Sequence, residues 1–144
     1  MAEITFFTEE ISFNLPQKIF LKNWIAEVIA LENKIKGDIN YIFCNDTYLS
    51  KLNLQYLKHD TLTDIITFDY TKDNNGLISG DIFISIERVK ENAMALKIPF
   101  PIELNRVMIH GVLHLLGYKD KTKAEKAIMR QKEDNYLYLH FQLK

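Results

Sequence analysis

His110 and His114 stand four residues apart in the run Ile109-His110-Gly111-Val112-Leu113-His114-Leu115-Leu116-Gly117-Tyr118-Lys119-Asp120. On a helix that spacing puts both rings on one face, a turn apart, so two imidazoles are offered to one metal ion. Gly117 follows where a helix often stops, because glycine enters the left-handed conformation at little cost. The chain can then double back and bring Asp120 within reach of the pair. His110, His114 and Asp120 are therefore the expected ligands and catalytic residues of a three-ligand site. A fourth position left for water marks a catalytic rather than a structural zinc.

The competing reading is a plain pair of polar positions on an amphipathic helix. Val112, Leu113, Leu115 and Leu116 argue against it, because they make the helix apolar nearly all round and so buried. A buried imidazole needs a partner, and two on one face share a metal economically.

Positioning this stretch requires a layered frame, and the chain supplies one. Ile4 to Phe7 is β-prone, and Lys18 to Glu32 carries Ile19, Phe20, Trp24, Val28 and Leu31 at helical spacing. Asp38 to Cys44 reads as a strand, and Asn45-Asp46 offers caps for a helix holding Leu49, Leu52 and Tyr56. Thr63 to Phe68 is a β-branched strand, Asp73 to Gly76 a turn, and Gly80 to Ser85 a strand apolar on both faces. A helix from Ile86 to Leu96 ends before Pro99-Phe100-Pro101; the histidine helix then runs from about Ile102 to Leu116. Thr122 and Glu125 stand at capping-box spacing before a last helix reaching about Leu139. The order β-α-β-α-β-β-α-α-α implies an α+β fold: one domain over residues 1–144, a small mixed sheet of about four strands, about five helices, and the metal site on a central helix.

Composition narrows the class. With 18 Lys+Arg against 19 Asp+Glu, the net charge of −1 gives no global attraction to a polyanion, so a nucleic-acid site must be local. The single cysteine, Cys44, excludes an internal disulfide framework and reads as a core residue in a reducing compartment. Neither a signal peptide nor an apolar run of ~20 residues is present, so the expectation is a cytoplasmic protein without a membrane partner.

His110-Gly111-x-Leu113-His114-Leu115-x-Gly117-Tyr118 resembles the signature of the YbeY family of bacterial metal-dependent endoribonucleases. Leu52-Asn53-x-x-Tyr56, Asp60, Thr63 to Phe68, Gly80 to Ser85, and Met129 with Glu133 extend that resemblance from about Leu52 to Glu133. It implies single-strand-specific RNA cleavage in small-subunit ribosomal RNA maturation and ribosome quality control. It also implies one divalent ion, Zn2+ or similar, held by three side chains, and ribosomal RNA with ribosomal proteins or ribosome-associated factors as partners. The family's third ligand is usually histidine where this chain has Asp120, a competent ligand that leans toward oxygen-seeking metals. His59 and His140 are the substitutes, and both read as surface residues. A basic residue common in the family after the tyrosine is replaced by Leu57, so the phosphate contact is either moved to Lys58 or His59 or lost.

The implied chemistry is phosphodiester hydrolysis, with a metal lowering the pKa of its water toward ~7. Asp64 and Asp81 are candidate proton acceptors, with solvated or capping roles as the alternative. Metzincin proteases share the histidine spacing but carry a glutamate after the first histidine, where this chain has Gly111. A non-catalytic, metal-stabilised RNA- or ribosome-binding module is the third reading. Lys119 and Lys121, followed by Lys123, Lys126, Arg130 and Lys132, form a basic stretch that would attract phosphates, or a solvated helix face. Tyr118 would stack on a base or anchor the turn.

Overall fold

The computed structural model describes residues 2–57 and 63–143, so Lys58, His59 and Asp60 lie outside the described residues. Strands β1 (Ile4–Glu9), β2 (Lys36–Cys44), β3 (Ile65–Asp69) and β4 (Ile78–Ser85) form one sheet in the order β1-β2-β4-β3. β1, β2 and β4 run parallel, and β3 pairs antiparallel with β4. The helices among the described residues are α1 (Lys18–Leu31), α2 (Asp46–Leu52), α3 (Ile86–Leu96), α4 (Phe100–Leu115) and α5 (Lys123–Leu143). The expected α+β architecture and element order are present.

Element ends differ from expectation for identifiable reasons. α4 begins at Phe100 because Pro101 falls in the first turn, where a missing N–H breaks no helical bond. α5 runs on to Leu143 because His140, in its last turns, is buried. Tyr56 lies beyond α2 in a π-helical turn, Asn53–Leu57. β1 extends to Glu9, opposite Cys44 of β2.

Alternation along β4 separates the two faces of the sheet. A Cβ on Gly80 would stand 2.8 Å from Leu115, and one on Gly111 would stand 2.8 Å from Ile82, so α4 presses closely on this face. Trp24, Tyr41, Phe43, Ile82, Ile84, Met108, Val112 and Leu113 fill the core there. Asp81 and Phe83 look the other way, toward α2, where Cys44, Leu49 and Ile66 form a smaller cluster. Burial, reinforced by Asp46, Glu87 and Glu9, pushes the Cys44 thiol up to about 12, which suits the core role and not a nucleophile. No described helix is long and apolar enough to cross a membrane.

Candidate metal centre

α4 is the central helix, in contact with α1, α3, α5, β3 and β4. Its buried stripe, Leu104, Val107, Met108, Gly111, Val112 and Leu115, fixes its rotation and leaves His110 and His114 only half-buried at the rim. The helix ends as the glycine predicts. Gly117 takes φ +105°, its N–H donates to the His114 carbonyl, and the Tyr118 N–H donates to that of Leu113. This pair of bonds is the Schellman arrangement, and it turns the chain back over the histidines. At the far end of the loop the capping box forms. The Thr122 hydroxyl accepts from the Glu125 N–H at 3.0 Å, and the Glu125 carboxylate accepts from the Thr122 N–H at 2.9 Å. Asp120 is held between these two stops.

The three atoms His110 Nε2, His114 Nε2 and Asp120 Oδ2 converge. The two nitrogens are 2.9 Å apart, and the carboxylate oxygen lies 3.2 Å from the first and 3.4 Å from the second. Ligand bonds of the length zinc prefers would set tetrahedral edges at about 3.3 Å. Each ring's other nitrogen is occupied. His114 Nδ1 donates to the Tyr118 carbonyl at 3.1 Å, and His110 Nδ1 to Glu133 Oε2 at 2.6 Å. A carbonyl only accepts, so His114 carries its proton on Nδ1 and turns a lone pair inward from Nε2. Glu133 imposes the same tautomer on neutral His110. Two inward lone pairs and a carboxylate oxygen fit a divalent cation, and the outward bonds are the kind that orient metal-bound imidazoles.

The two rings differ electrostatically. Burial opposes the charged form of His110, but the Glu133 hydrogen bond and the charges of Glu133, Asp120 and Asp64 outweigh it and hold the ring above its ordinary value. Burial, and then the neighbouring His110 charge, hold His114 below. Glu133 is itself fixed by Arg106, whose guanidinium donates to it at 3.1 Å and to Asp134 at 2.9 Å.

Tyr118 anchors the loop. Its hydroxyl donates to Glu32 Oε1 at 2.6 Å, while Lys132 and the Tyr136 hydroxyl donate to Glu32 Oε2. Lys132 is thus paired inside the fold and leaves the basic stretch, whereas Lys119, Lys121 and Arg130 remain exposed near the site. Of the two roles foreseen for Tyr118, the structure shows the anchor.

His140 corrects the expectation of a surface residue. It is buried, its ring meets Phe20 and Trp24 edge-on at 4.9 and 4.8 Å, and its Nε2 lies 3.2 Å from Asn105. It is a core histidine, and His59 lies outside the described residues. Asp81 accepts from Asn40 and Tyr70 on the far face of the sheet, whereas Asp64 lines the cavity beside His110. Burial chiefly raises the proton affinity of Asp64.

Residue reasoning missed Arg106 and Glu32 altogether and saw Glu133 only as part of a pattern. A signal for Glu133 was present: it stands in the inward stripe Met129, Glu133, Tyr136, Leu137, where an acid requires a partner.

The family described as Endoribonuclease YbeY matches residues 4–140. An Endoribonuclease YbeY of Flavobacterium psychrophilum is 56% identical over 133 residues, covering 92% of this chain and 94% of that protein. One from Porphyromonas gingivalis is 43% identical over 139 residues, covering 96% and 91%. The solution structure of a Thermotoga maritima protein aligns with a TM-score of 0.66 at 26% identity, covering 96% of this chain and 89% of that one. With the family match running from the first strand into the last helix, the chain belongs to the YbeY endoribonuclease family.

Proposed function

We propose that this protein is a cytoplasmic, metal-dependent endoribonuclease that cleaves single-stranded RNA during maturation and quality control of the small ribosomal subunit. The observation that carries the reading is the convergence of His110, His114 and Asp120, with both imidazoles held in the ligating tautomer. Family membership supports RNA as the substrate. Ribosomal RNA, ribosomal proteins and associated factors are the proposed partners.

His110, His114 and Asp120 would hold one divalent ion. Zn2+ is the proposed ion, and the carboxylate broadens tolerance toward oxygen-seeking metals. When bound, the ion supplies a Lewis acid and a water whose pKa falls toward ~7. Glu133 and the Tyr118 carbonyl keep both Nε2 lone pairs aimed inward throughout. Asp64, the one of the two proposed proton acceptors that borders the cleft, takes a proton at its carboxylate, and burial raises its affinity for that proton. Lys119 and Lys121 meet the phosphate backbone, with Lys58 and His59 as further contacts. The metzincin reading lacks a base: residue 111 faces the sheet, where even a Cβ would crowd Ile82, so a glutamate there would not reach the cleft.

The test is metal content and RNA cleavage measured on the same samples. Wild type should carry about one ion per chain and cleave single-stranded RNA. His114→Ala and Asp120→Ala should lose both, with the far-ultraviolet circular dichroism of the wild type. Stoichiometric metal without cleavage would replace this proposal with the non-catalytic RNA-binding module. Full cleavage in a metal-free variant would overturn the site itself.

A further inference from the structure

A cavity of about 200 Å³ opens beside His110, along the flank of α4. Ile65 and Val107 give it apolar walls, Asp64, Glu103 and Glu133 contribute carboxylates, and Arg106 and Arg130 contribute guanidiniums, that of Arg130 exposed. Glu103 is the unusual member. It is 5% exposed, and its Oε1 has no hydrogen-bond partner among the described residues. A buried acceptor left without a donor carries a desolvation cost that a donor-bearing ligand would relieve. Arg106 does not relieve it, since its described hydrogen bonds go to Glu133 and Asp134.

We propose that this cavity is a nucleobase pocket that selects guanine beside the cleaved bond, with Glu103 as the specificity-determining residue. The inference rests on the endoribonuclease reading above. Apolar walls suit the flat faces of a base, and acceptors suit its donor edge. Three carboxylates outnumber the two guanidiniums, and Arg106 is already engaged by Glu133 and Asp134, so the lining disfavours a phosphate. A second metal is poorly matched, because His110, His114 and Asp120 are the only three-residue ligand group among the described residues. Guanine presents two adjacent donors, N1–H and the 2-amino group, which match the two oxygens of one carboxylate. Adenine and cytosine set a single amino donor beside an acceptor, and uracil sets one imino donor between two acceptors. Glu103 and His110 are seven residues apart on one helix face, roughly 10 Å along its axis. That is about the span from a phosphate across its ribose to the Watson–Crick edge of the base. Burial raises the proton affinity of Glu103, and two donors from guanine would draw it back to the ionised, accepting form.

The probe is each of the four ribonucleoside 5′-monophosphates, titrated into labelled protein with the Ile65 and Val107 amides followed by NMR. Guanosine monophosphate should bind about tenfold or more tightly than uridine monophosphate, with the strongest shifts at these walls. Glu103→Gln, which pairs an acceptor with a donor, should move the preference from guanine to adenine and cytosine. Sequenced cleavage products of a randomised single strand should show guanine at one fixed position for wild type, and adenine or cytosine there for Glu103→Gln. Equal binding of all four, or a guanine preference unchanged in Glu103→Gln, overturns the pocket. If that variant does not fold, the wild-type order alone decides. Cleavage without base preference overturns the pocket and leaves the endoribonuclease reading standing; base-selective binding without cleavage does the reverse.

Discussion

Glu133 shows how much of the site resides in a residue that holds no ligand position. Its carboxylate fixes the His110 tautomer from behind, and Arg106 fixes the carboxylate. Glu133→Gln keeps the shape but can offer His110 the wrong partner. Affinity for Zn2+ should fall by about ten- to a hundredfold, measured by competition with a chromophoric chelator. The same titration carries a pH signature. Protonating either ring removes the Nε2 lone pair, so apparent affinity should fall as pH drops between about 8 and 5. His110, with its raised proton affinity, takes up its proton first on the way down, and His114 follows at lower pH. An affinity independent of pH over that range would contradict ligation by the two imidazoles. The pair, the glycine and Asp120 could be read from spacing, because one helix and one turn bring them together. Glu133 and Glu32 come from other helices, and no local spacing announces such a meeting.

At the level of elements, the loop between α4 and α5 is held by α1. Glu32 follows the last residue of α1 and accepts from Tyr118, Tyr136 and Lys132. Burial disfavours its charge, yet these three donors outweigh burial and hold its carboxyl below the usual range. The unfolded chain therefore takes up this proton first. The contribution is complete above the ordinary glutamate value of about 4.3 and is lost as pH falls toward the lower folded value. Glu32→Gln should destabilise the protein by roughly 1–3 kcal/mol at neutral pH and flatten the acid limb of its stability curve, followed by urea unfolding. Gly111→Ala should cost about 1–3 kcal/mol through crowding against Ile82, and should loosen the helix that carries both histidines. Element order was legible because β-branched runs, the Thr122–Glu125 box and Gly117 are local signals. The π-helical turn was not, since Tyr56 keeps the helical spacing of Leu49 and Leu52. His140 was misread because its partners Phe20 and Trp24 lie at the other end of the chain.

For the molecule as a whole, the buried core lies mainly between the sheet and α1, α4 and α5, away from the ligand atoms. Folding is therefore expected to proceed without an ion, unlike that of small zinc-stabilised domains. Chelated protein should keep its circular dichroism and unfold cooperatively. Free Zn2+ at a hundred times its dissociation constant should add about 2.7 kcal/mol, read as a rise in melting temperature. Loss of secondary structure on chelation would contradict this. One contact described above also bears on how the chain acquires its competence. Glu32 and Tyr136 are 104 residues apart, and Glu32 and Lys132 are 100 apart. In a nascent chain α1 emerges well before α5, so the lock on the Asp120 loop has to wait for α5. A ribosome-bound chain can pair its strands while its Asp120 loop is still unsecured. The order of translation itself then delays the fixing of Asp120 beside His110 and His114 until α5 has left the ribosome.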